Sequence, residues 1–128
     1  MIKIYIFIFS VLLSTNLLSH SEGKISEYKY YQIAKDLPKG KDPIFIAYMK
    51  LNSPCIFVND LRTNTTQEYC ELDESGYDLK VDYPSVYPID LRLSGASLYF
   101  IAAAPWNEQK CEIFFPEKSI TCEPTGKN

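Results

Sequence analysis

The residues best equipped for chemistry are carboxylates. Glu68, Glu71, Asp73, Glu74, Asp78 and Asp82 fall within fifteen residues, opposed only by Lys80. Two carboxyls of unequal pKa can serve as general acid and base, a hydrolytic arrangement that needs neither histidine nor metal. It requires a deep cleft that desolvates one of them. A chain of this length divided into small sheets offers little room for that. The only histidine, His20, lies in an apolar N-terminal leader. The rest of the chain therefore has no Ser-His-Asp triad, no Cys-His pair and no histidine-containing zinc site. The acidic run also lacks the D-x-[DN]-x-[DN]-G spacing of a calcium loop. The expectation is no catalytic residues, no metal and no cofactor. Glu71, Asp73, Glu74 and Asp78 surround the turn signal Ser75-Gly76. They read as a partner-binding loop that enters a cationic cleft, against the plainer reading of a solvated loop that aids solubility.

Four cysteines follow the leader: Cys55, Cys70, Cys111 and Cys122. An even count in a short exported chain implies two disulfides. Zinc knuckles bring two thiolates together through two to four intervening residues; these pairs are separated by 14 and 10. No C-x-x-C is present, so a redox role has no support. Three pairings are possible. A two-residue turn at Pro116-Glu117 sets Cys111 opposite Cys122, within disulfide reach of a neighbouring strand. Cys55 opposite Cys70 centres a second hairpin on Leu61–Thr65. Local pairing is therefore expected, each closed loop contributing roughly 3 kcal/mol on the chain-entropy model.

The chain has 128 residues, with Lys+Arg 13 and Asp+Glu 16. Met1–Lys3 is a short positive start, Ile4 to Leu13 is apolar but for Ser10, and Ser19-His20-Ser21 offers small residues at a cleavage site. Residues 1–21 read as a signal peptide and 22–128 as a single all-β domain. The alternative, a retained anchor, has a second half too polar to sit comfortably in lipid. With Lys3 removed, twelve basic residues face sixteen acidic ones, a balance of −4. That argues against nucleic acid, which demands a clustered cationic surface. The expected location is periplasmic or secreted, with no stable membrane insertion once the leader is cut.

Aromatic and β-branched residues dominate, and Pro or Gly recurs about every ten residues. Glu27-Tyr28-Lys29-Tyr30 alternates as a half-buried strand does. Ile44 to Met49 is an apolar run that reads as a buried strand. Ile46-Ala47 matches Ile101-Ala102, Cys55-Ile56-Phe57 resembles Cys111-Glu112-Ile113-Phe114 with one residue added, and Cys70-Glu71 matches Cys122-Glu123. The cysteines recur at 52 to 56 residues, a period that signals repeated antiparallel meanders. The predicted units run over about 26–72 and 77–123, with Tyr28 to Ile33 and Tyr77 to Val81 as outer strands. Tyr87 to Phe100, with its Pro, strand, Ser-Gly turn and apolar strand, resembles the opening of a propeller blade. Two units cannot close a propeller. The expected fold is all-β: two blade-like meanders packed as a small sandwich, each stapled by a disulfide in its last hairpin.

Trp106, Tyr83 and Tyr87 lie in expected loops and are further candidates for partner binding, since exposed Trp and Tyr anchor interfaces. Asn64-Thr65-Thr66 is an N-x-T sequon. Ser94-Gly95-Ala96 with Tyr99 resembles the inhibitory loop of the periplasmic lysozyme inhibitors, over some six residues and without their Trp-Lys-Gly segment. The build resembles small exported inhibitor and immunity proteins. That resemblance implies a non-catalytic protein whose partner is another protein, a toxin or hydrolase. The alternatives are an envelope-associated structural module with open β edges and, third, a carboxylate-dependent hydrolase.

Overall fold

In the computed structural model, residues 25–33, 39–42 and 44–127 are described. The expected signal peptide lies outside them. The described chain is nearly all β. Strands β1 (Tyr28–Ile33), β2 (Phe45–Lys50), β3 (Ile56–Asp60) and β4 (Thr65–Tyr69) form one antiparallel sheet in sequence order. Strands β5 (Tyr87–Ser94), β6 (Ser97–Ala103), β7 (Gln109–Phe114) and β8 (Ser119–Pro124) form the second. Their inward side chains build one shared core, with Phe45 and Phe115 in ring contact at 4.7 Å. Among the described residues no helix is long and apolar enough to cross a membrane.

Strand alternation decides what each sheet hides. In β2, Phe45, Ala47 and Met49 are buried while Ile46, Tyr48 and Lys50 are half-exposed. The run expected to be buried throughout is thus one-sided. Its outer face is an aromatic row instead: Tyr48 stacks on Phe57 at 5.4 Å and meets Tyr28 edge-on at 5.4 Å. Tight turns set the register. Gly95, at φ +57, takes the first place of the two-residue β5–β6 turn, a left-handed conformation that glycine adopts without Cβ strain.

The disulfides are Cys55–Cys70 and Cys111–Cys122, as expected. The connections differ from expectation. Four residues, Phe115 to Lys118, join β7 to β8, not the two of Pro116-Glu117. Leu61 to Asn64 joins β3 to β4 in the same way, and both end in a left-handed residue, Asn64 and Lys118. The longer turn still sets Cys111 opposite Cys122, because one residue is added on each side of the centre. The Cα separations are 4.8 and 4.1 Å. The additional residue of the second repeat also has a geometric reading. Cys111 lies two residues before Ile113 and shares its inward face. Cys55 lies one residue before inward Ile56, so it sits just beyond the β3 ladder.

The expected outer strand at Tyr77 to Val81 is not a strand. A single bridge, Glu71 with Asp78, closes a small loop, and one helical turn follows over Leu79–Asp82. The turn wins because Asp78 is a good N-cap: its carboxylate accepts from the Lys80 N–H at 2.8 Å. Leu72 and Leu79, both fully buried, plug the core from this connection. The first strand of the second sheet is Tyr87–Ser94 instead.

Two backbone bulges complete the frame. On β1, the two steps from Tyr28 to Tyr30 face one step on β2, from Lys50 to Met49. Lys29 is the extra residue. Tyr28 consequently joins the outer row while Tyr30 turns inward, although simple alternation placed them on one face. On β5, the three steps from Ile89 to Arg92 face two on β6, with Asp90 at φ +53. Asp tolerates this region better than most residues.

Replacing Cys111 and Cys122 together by alanine should lower stability by about 2–4 kcal/mol. Urea unfolding followed by circular dichroism checks this, with the midpoint falling and the slope rising as the unfolded chain expands.

Candidate functional site

The acidic segment is ordered by its own backbone. Leu72 N–H donates to Tyr77 O at 2.7 Å and Leu79 N–H to Cys70 O at 2.8 Å. The Asp82 carboxylate accepts from Asp78 N–H at 2.8 Å. Ser75 Oγ donates to Leu72 O and accepts from Tyr77 N–H. Two of the six carboxylates, Asp78 and Asp82, are thus occupied with local backbone. Glu68 forms an ion pair with Lys80 at 3.4 Å. Glu71 and Asp73 stand exposed in solvent. Glu74 lies in the same short 3-10 turn, Asp73–Ser75, which packs beside β8.

Between β4 and the start of β8 this segment borders a cleft of about 500 Å³. Glu68, Glu71 and Asp73 line it together with Lys80 and Lys118, and Tyr69 and Ile120 contribute its apolar surface. The Tyr69 hydroxyl is pushed above the ordinary tyrosine pKa by burial. Sulfur chemistry is not on offer here. The Cys55 and Cys70 sulfurs lie near Glu68, but both are consumed in their disulfide.

Trp106 is 87% exposed, on the connection between β6 and β7. That connection is tied to the acidic segment: the Tyr77 hydroxyl donates to Asn107 O at 3.3 Å. Its far side is anchored by Thr125, whose N–H donates to Glu108 O at 2.9 Å. One hydrogen bond thus links the Trp106 connection to the acidic segment.

Tyr83 and Tyr87 go elsewhere. They line a groove of about 410 Å³ where the bulges of β1 and β5 meet. β5 is an edge strand, so part of its backbone has no strand partner. Side chains of β1 supply it: Tyr30 donates to Leu91 O at 3.2 Å, and Leu93 N–H donates to Gln32 Oε1 at 3.0 Å. The single Tyr30 hydroxyl proton is shared between Leu91 O and Gln32 Oε1. Burial pushes the Tyr30 pKa up to about 12. Lys29, Tyr30, Met49 and Leu91 are groove residues that sequence reasoning missed. Only a bulge brings Lys29 and Tyr30 to this position, and no residue type announces a bulge.

No protein family, curated protein or solved structure matches the chain.

Leu72→Ala should cost about 2–5 kcal/mol, because the leucine is fully buried and its loss leaves a cavity. Limited proteolysis should then cut within 70–86 faster than in the parent protein. Tyr30→Phe should cost about 1 kcal/mol at neutral pH through its lost hydrogen bonds. With a folded pKa near 12 against about 10 unfolded, the Tyr30 contribution is complete below pH 10 and is lost as pH rises towards 12. The stability gap between parent and Tyr30→Phe should therefore narrow over that window in chemical denaturation.

Proposed function

We propose that this is an exported, non-catalytic protein-binding module of the inhibitor or immunity type, directed at a toxin or hydrolase outside the cytoplasm. The observation that carries the reading is Trp106. A side chain of that size is almost wholly in water, on a connection held by hydrogen bonds on both sides. Packing gives no reason for tryptophan there, whereas a rigidly presented aromatic is what an interface anchor requires. The tied acidic segment adds the exposed Glu71 and Asp73, charges suited to steering towards a basic surface. Two disulfides fit maturation in an oxidising compartment. A hydrolase would need a desolvated carboxyl to act as acid, and Glu71 and Asp73 stand in solvent.

The test is affinity capture on the immobilised, oxidised protein from the exported fraction of the source organism, then kinetics on the identified partner. Trp106→Ala should weaken binding by about tenfold or more while changing stability by under about 0.5 kcal/mol. Asp73→Lys with Glu74→Lys should slow association and flatten its salt dependence. Capture of no protein partner, or binding unchanged in both variants, overturns the reading.

A further inference from the structure

We propose that the groove between the two bulges is a ligand site for a small amphipathic carboxylate, distinct from the Trp106 surface. Its volume of about 410 Å³ lies within the range of small-molecule sites, and it sits where two layers meet, a common place for them. Met49 is buried, Leu91 is half-buried, and the Tyr30 ring adds to the same apolar floor. Tyr83 and Tyr87, each a little under half exposed, form the walls.

The polar groups of that floor are already engaged. The Tyr30 hydroxyl is bonded to Leu91 O and Gln32 Oε1. An apolar ligand body can cover the Tyr30 ring without stranding its hydroxyl, the usual penalty for covering polar surface.

Charge selects the head group. Among the described residues that line the groove, Lys29 is the only one with an ionised side chain, in a protein of net charge −3. The β1 bulge places it there, and its Nζ stands 5.1 Å from the centre of the Tyr83 ring. An exposed cation–π contact is weak, so the ammonium can exchange the ring face for a carboxylate at the groove mouth. One cation balances one negative charge, which favours a monocarboxylate over a phosphate. The occupant is thus a free acid with an aryl or branched alkyl body.

The test uses the full, oxidised protein and two probes of matched shape, 4-phenylbutanoate and the neutral 4-phenylbutan-1-ol. Titration calorimetry should give the acid a Kd of about 0.1–1 mM and the alcohol a value about tenfold weaker. Methyl resonances of Met49 and Leu91 should shift on titration. Lys29→Gln, at an exposed position, should keep the fold by circular dichroism. It should bring acid binding down to the alcohol's level and leave the alcohol unchanged. Equal affinity for the two probes, an undiminished acid affinity in Lys29→Gln, or shifts that bypass Met49 and Leu91 would each overturn the site. Loss of the Trp106 partner reading would leave this result untouched, since Trp106 does not line the groove.

Discussion

Phe45 and Phe115 meet across the gap between two sheets, and the rest of the structure depends on that closure. A four-stranded antiparallel sheet has one apolar face to remove from water and too few strands to remove it alone. Each sheet here covers the other. The buried residues alternate along β2, β3, β6 and β7 and converge on one core. The connection between the sheets contributes Leu72 and Leu79 to the same core. The acidic segment is therefore not an appendage. Its surface carboxylates ride on a backbone whose other side is core, which holds them in place.

Outside the core, backbone geometry and not residue type decides where an aromatic side chain goes. Tyr48 and Phe57 lie on the outer face of the first sheet with Tyr28. Tyr30, Tyr83 and Tyr87 border the groove. Trp106 stands alone in solvent. A bulge of one residue separates the first of these groups from the second. Tyr28 and Tyr30 are neighbours but one in the chain, yet they serve opposite faces of the sheet.

Much of the framework was legible from residues whose physics is local. Cysteine spacing and polar turns implied the two hairpin staples. Ser94-Gly95 implied a tight turn, since a two-residue hairpin needs a positive φ. The internal repeat implied two meanders. What could not be read depends on distant contacts. Tyr77 to Val81 has the alternation of a strand, but Asp78 caps a helical turn and Leu79 finds a place in the core. The bulges at Lys29 and Asp90 follow from matching two sheets edge to edge, where Tyr30 and Gln32 satisfy the backbone of β5. Tyr83 and Tyr87 were legible as a pair, but not as lining a groove apart from the cleft that Glu71 and Asp73 border. Nothing in the chain order reports that the groove and the cleft involve different strands.

Each disulfide closes within its own sheet. Covalently, the described molecule is two self-sufficient loops of chain on a single thread, the stretch from Cys70 to Tyr87. Cutting that thread would leave two fragments held by the faces they hide from water and by the hydrogen bonds that Tyr30 and Gln32 make to β5. The architecture is that of a dimer written into one polypeptide. Equivalent turns ending at Asn64 and Lys118, and equivalent buried alanines at 47 and 102, mark corresponding positions of the two halves.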